Sequence, residues 1–147
     1  MVGVDADETS VLRSLDFSRA KAALSDLMTQ VVHEHRPRVV SRHRGKERML
    51  LVRTDDLAGY LGSFTFETES VTDKGEITLA LPRLGLLGFG SSLEEARTDL
   101  LAELRAYARD FFDRATFYAA TDRAAHAPWL LRVAVTPPEQ QLELLAE

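Results

Sequence analysis

Apolar residues along this chain recur in two rhythms, one of period two and one of period three to four, and together they outline its elements. From Ser10 to Phe17 the pattern alternates, with Val11, Arg13, Leu15 and Phe17 on one side, as in a short strand. Ser18 is placed to cap a helix in which Ala20, Leu24, Leu27, Met28, Val31 and Val32 form one apolar stripe. That helix is predicted to run for about four turns and to end at Pro37. Arg38 to His43 and Arg48 to Val52 read as two strands, joined at His43-Arg44-Gly45-Lys46, where the glycine suits a tight turn. Thr54 is a suitable cap for a second helix. Asp55 and Asp56 sit at its positive end, its apolar residues are Leu57, Tyr60 and Leu61, and Gly62 is its stop.

A second unit is predicted from Phe64. Phe64 and Phe66 alternate with Thr65 and Glu67, Asp73-Lys74-Gly75 is a hairpin turn, and Ile77, Leu79 and Leu81 alternate up to Pro82. Leu86 to Phe89 adds a short strand. Ser92 and Glu95 have capping-box spacing and open a helix with a wide apolar face from Leu93 to Phe112. With no Gly or Pro before Pro128, this helix is expected to reach about Ala125. Pro128 fits the first turn of a further helix holding Trp129, Leu130, Leu131 and Val133, which Pro137-Pro138 ends. Glu139 to Ala146 completes the chain with one or two helical turns. The expected architecture is α+β: residues 1–10 a flexible tail, 11–63 a β-α-β-β-α lobe, and 64–147 a small antiparallel sheet under a long helix with a helical tail.

Composition narrows the function. The chain has 147 residues and no cysteine, which excludes disulfides, thiolate nucleophiles and Cys-ligated metal sites. No apolar run reaches the roughly 20 residues that span a bilayer, and the first ten residues lack a signal-peptide pattern, so the expected location is cytoplasmic, without a membrane partner. The net charge of −5 hides an asymmetry: Val11 to Thr54 holds ten bases against four acids, and the rest of the chain eight against nineteen. A basic segment joined to an acidic one suggests two surfaces with different partners.

The hairpin carries the strongest chemical signal. Arg42, Arg44, Lys46 and Arg48 flank its turn, and guanidinium groups on a rigid hairpin can grip phosphates or read guanine edges. The same residues would equally serve as a charged edge that blocks sheet aggregation. Gly85-Leu86-Leu87-Gly88-Phe89-Gly90 inverts the dinucleotide fingerprint and lacks the P-loop lysine, so it reads as a turn. His33, His35 and His43 do not make a metal site, because alternate helical residues point apart and no carboxylate or Cys motif completes the set. The acidic pairs Asp55-Asp56 and Glu94-Glu95 read as helix-start residues and not as acid–base catalysts. No enzyme activity and no cofactor is expected. Trp129 is either core or an anchor for a partner.

Leu15-Asp16-Phe17-Ser18-Arg19-Ala20-Lys21-Ala22-Ala23-Leu24-Ser25-Asp26-Leu27, then Val39 to Lys46, then Arg48 to Leu57, resemble in order and spacing the strand, helix, basic hairpin and second helix of Phd/YefM antitoxins. Ala23 stands where that family commonly has Asn, and Lys21 where it has Arg. Gly75 to Pro82 followed by Gly88 to Ala96 is similar to HicB-type antitoxins over about residues 72–112. The resemblance implies a homodimer that binds operator DNA and represses its own operon through Arg19, Lys21, Arg42, Arg44 and Lys46. It also implies a partner toxin, a RelE/ParE-like ribonuclease, for which Leu57, Tyr60, Leu61, Trp129 and Leu130 are the candidate contacts. A stand-alone regulator or a protein-interaction module on the same scaffold is the alternative.

Overall fold

The structure is a computed structural model that describes residues 10–146, so all of the expected N-terminal tail except Ser10 lies outside the described residues. The chain divides into two compact units between Leu57 and Ala58, ahead of the boundary that the sequence suggests at residue 63.

In the first unit, strand β1 (Ser14–Asp16) runs parallel to β2 (Arg38–Arg42), and β2 pairs antiparallel with β3 (Glu47–Leu51), giving the order β1-β2-β3. The expected single helix between β1 and β2 is two, α1 (Phe17–Ala22) and α2 (Leu24–His33). They bend at Ala23, which still donates to the Arg19 carbonyl at 3.0 Å and accepts from Leu27 at 2.9 Å. No Gly or Pro marks the bend, so the sequence reads as continuous. The cap is Asp16, whose carboxylate accepts the Ser18 N–H at 3.1 Å; Ser18, expected in that role, lies inside the first turn. The stripe on α2 is also split. Leu27 and Val31 are buried, whereas Leu24 and Met28, one helical step round, are exposed. The core here is small: Ala20, Leu27 and Val40, with Leu15 and Leu51 against them. Helix α3 (Thr54–Tyr60) begins at Thr54 itself.

The second unit holds the antiparallel sheet β4 (Glu69–Asp73), β5 (Glu76–Leu81) and β6 (Leu86–Gly90), in that order. Phe64 to Glu67, where the alternation predicts a strand, is irregular. Its carbonyls are taken by side chains and not by a neighbouring strand: Arg132 donates to Phe64 O and Trp129 Nε1 to Thr65 O, each at 3.0 Å. Phe66 between them is fully buried.

Helix α4 (Leu93–Asp113) lies on the sheet. Ser92 Oγ accepts the Glu95 N–H at 3.1 Å, and the Glu95 carboxylate takes the hydroxyls of Ser91 and Ser92. The helix stops at Asp113, well short of Ala125. Arg114 there grips both oxygens of Asp110, at 2.9 and 2.8 Å, and the Tyr118 hydroxyl at 3.2 Å. The turn lets α5 (Ala115–Ala119) fold back, so that Tyr118 is buried and stacks on Phe111 at 4.9 Å. Burial of such apolar side chains, at about 1.5–3 kcal/mol each, outweighs helix continuation. A 3-10 turn (Asp122–His126), α6 (Ala127–Val135) with Pro128 in its first turn, a second 3-10 turn (Pro138–Gln140) and α7 (Gln141–Leu144) close the unit. Phe66, Leu81, Leu100, Leu104, Leu130 and Leu145 centre its core.

Candidate nucleic-acid interface

The β2–β3 hairpin owes its shape to its turn. His43, Arg44 and Gly45 have φ of 53°, 58° and 80°, a run of left-handed residues of which only the glycine adopts that state freely. A non-glycine residue there costs about 1–2 kcal/mol. The chain therefore places an arginine at the tip at a cost in stability, which is how functional positions commonly behave.

Arg42, Arg44, Lys46 and Arg48 are all exposed. They are not equivalent. Arg42 pairs across the hairpin with Glu47, which also takes His43 at 3.4 Å. Arg44, Lys46 and Arg48 have no carboxylate partner among the described residues, and neither do Arg19 and Lys21 on α1. Because β1 is parallel to β2, with Asp16 beside Ser41, α1 starts at the same end of the sheet as the turn. Phe17, Arg42, Glu47, Arg48 and Met49 line an open groove of about 400 Å³ there. The turn end of the hairpin, with Arg44, Lys46 and Arg48, thus lies at the end of the sheet where α1 with Arg19 and Lys21 begins. Paired with Ser41 in the register, Arg48 projects from the face of the sheet opposite to that of Val40, Arg42, Glu47 and Met49, and it has no acid of its own among the described residues.

At the far end of the same sheet, His35 (φ 56°) bonds Asp56 through Nδ1 at 2.9 Å and sits 3.5 Å from Arg53, tying the α2–β2 loop to the start of α3. Among the described residues no three His, Asp or Glu side chains converge as metal ligands would. Among the described residues no helix is long and apolar enough to cross a membrane.

A family model, PHD_like, described as antitoxin of toxin-antitoxin, RelE / RelB, TA system, matches residues 11–146. The chain belongs to this antitoxin family. Membership brings with it a partner toxin protein and points to a regulatory, non-catalytic role. The crystal structure of an antitoxin part of a proposed toxin/antitoxin system from Syntrophomonas wolfei subsp. wolfei is similar, with a TM-score of 0.76 and 19% identity over 88% of this chain and 93% of that one. At that identity the likeness is one of fold. No curated protein sequence matches.

The residues expected to meet a toxin differ in exposure. Leu57 and Leu61 are half-buried, and Tyr60 is exposed. Trp129 is held by its bond to Thr65, by an edge contact with Phe64 at 5.0 Å and by Arg83 over its ring at 4.7 Å. Leu130 is 0% exposed and offers a partner no surface.

Proposed function

We propose that this antitoxin is a cytoplasmic, homodimeric autorepressor of the Phd/YefM type, which binds operator DNA through the β2–β3 hairpin and restrains a RelE/ParE-like toxin. The observation that carries the DNA reading is the group of unpaired bases Arg44, Lys46 and Arg48 on a turn whose tip arginine is held left-handed, with Arg19 and Lys21 entering at the same end. Guanidinium groups so placed suit phosphate oxygens, and each neutralised phosphate releases condensed counterions. Arg42 is the weakest member of the set, since Glu47 already claims it.

Dimerisation is supported by what the first unit leaves uncovered. Leu24 and Met28 on α2, Phe17 on α1 and Met49 on β3 are exposed around a core cluster of three buried residues and two partly buried ones. A second copy would complete that core, and a dimer places two hairpins on one duplex, the geometry a palindromic operator requires. The order β1, bent helix, β2, β3, α3 supports the Phd/YefM likeness of the first unit, and the three antiparallel strands ahead of α4 support the HicB-like reading of the second.

Fluorescence anisotropy of the chain on its own upstream DNA at about 50 and 200 mM salt tests the proposal. A dimer making 6–10 phosphate contacts should lose roughly 10³–10⁵ in affinity across that range. The double variant Arg44→Ala/Arg48→Ala should weaken binding and flatten the salt slope. An unchanged slope in that variant would refute the hairpin as the contact.

A further inference from the structure

The sheet of the second unit has two unlike faces. Ile77, Leu79, Leu81, Leu86 and Gly88 face α4 and the core. Alternation sends their neighbours the other way. The register lines these up in rows: Glu69 beside Ala80 beside Leu87, Val71 beside Thr78 beside Phe89, and Asp73 beside Glu76. The outer face is therefore an apolar centre with carboxylates at one corner and along the turn end.

That centre is open. Val71 is 64% exposed, Phe89 54% and Leu87 48%. Leu87 and Phe89 are next-but-one neighbours on β6, and Thr78 and Ala80 of β5 stand between them and Val71, so the three are parts of one face bridged by a threonine and an alanine. The edges of the sheet differ as well. On β6 the Phe89 N–H is satisfied by the Asp99 carboxylate of α4 at 2.8 Å, whereas β4 is the other edge strand and is exposed along its whole length. Asp73 and Glu76 face each other directly, an arrangement that is unfavourable in isolation and is relieved by an incoming cation.

We infer that this outer face, centred on Val71, Leu87 and Phe89 and rimmed by Glu69, Asp73 and Glu76, is the docking surface for the partner toxin, a protein that presents lysine or arginine around an apolar centre. The inference rests on the reading that the chain restrains a toxin, and it assigns that contact to a surface separate from the hairpin. Charge selects the occupant. Two copies of this face brought together would set carboxylates against carboxylates around their apolar centres, which disfavours self-association, whereas a basic partner gains from each. The second unit carries fourteen acids against eight bases, so long-range attraction has the same sign as the rim.

The test uses the full chain and the product of the open reading frame adjacent to its gene, measured by titration calorimetry at about 50 and 300 mM salt. Phe89→Glu should weaken binding at least a hundredfold, and Phe89→Thr, a strand-compatible replacement, at least tenfold. Glu69→Gln/Glu76→Gln should weaken it several-fold at low salt and less at high salt. Phe117→Glu, an exposed apolar position elsewhere on the unit, should leave affinity unchanged. Operator binding should survive in all four. Full toxin affinity in Phe89→Glu would overturn the inference while leaving the toxin reading intact. So would a self-associated chain that Phe89→Glu dissociates without affecting toxin affinity, because the occupant would then be a second copy. A wild-type chain that does not bind the neighbouring product would overturn the toxin reading, and this surface with it.

Discussion

Gly88 is where the second unit has no room to spare. It sits in the middle of β6 with α4 directly over it, and a Cβ added there would lie 2.4 Å from the Ala96 carbonyl oxygen, 2.5 Å from the Leu100 nitrogen and 2.6 Å from the Leu100 Cβ. Two of these are backbone atoms of a regular helix, and the third is fixed to that backbone. No rotamer change relieves the clash, and the helix must lift off the sheet. Overpacking costs about 1–3 kcal/mol when neighbours can adjust, and here the upper end applies, about 3 kcal/mol for Gly88→Ala. For a unit of this length, a loss of 1 kcal/mol lowers Tm by about 4–8 °C, so a fall of roughly 10–25 °C is expected. Thermal unfolding followed by circular dichroism, with urea unfolding as a check on the free energy, measures it. Gly90→Ala, whose Cβ would meet Ala96 N and Glu95 Cβ at 2.6 Å, should behave similarly. A Gly88→Ala protein that melts within about 4 °C of the parent would show that α4 does not pack as closely as described, and the separation of inner and outer faces that supports the docking surface would fall with it.

Three further outcomes are expected. Arg44→Gly relieves about 1 kcal/mol of left-handed strain and adds a similar backbone entropy cost, so stability should stay within about 1 kcal/mol while operator affinity drops; a larger loss of stability would mean that the guanidinium holds the turn together. Leu104→Ala, at a fully buried position, should cost about 2–5 kcal/mol in urea unfolding, and a cost below 1 kcal/mol would contradict its place in the core. Hydrogen bonds from Arg114 and then Tyr118 hold the Asp110 carboxyl at a pKa of about 2, below its usual 3.8, so its contribution to stability is present above pH 3.8 and is lost as the pH falls toward 2. Asp110→Asn should remove that acid-side decline, and unchanged pH dependence between 4 and 2 would argue against the pairing.

Local signals in the sequence were strong where neighbouring residues alone decide the backbone. The hairpin at Gly45, the strands around it, Ser92 capping α4, Pro128 in the first turn of α6 and the stop at Pro137 are all choices made within a few residues by dihedral limits and unsatisfied helix-end groups. The charge asymmetry that points to the hairpin is likewise a property of order along the chain, and the resemblance of residues 11–62 to an antitoxin agrees with the family to which the chain belongs.

Where contacts distant in sequence decide, the linear pattern misled. The bend at Ala23 and the end of α4 at Arg114 carry no breaker residue. Phe64 to Glu67 alternates like a strand, but its carbonyls go to Trp129 and Arg132, more than sixty residues away. The strand predicted at Leu86–Phe89 formed, but the close packing of Gly88 and Gly90 under α4 was not legible, because nothing local distinguishes a glycine that frees the backbone from one that admits a helix. Periodicity shows that a residue is apolar but not which side is covered: Leu24 and Leu27 look alike in the sequence, and so do Leu79 and Val71. Burial is settled by which elements pack together, and that is a property of the whole fold, so the hairpin bases were legible from the sequence while the outer face of the second sheet emerged only from its register.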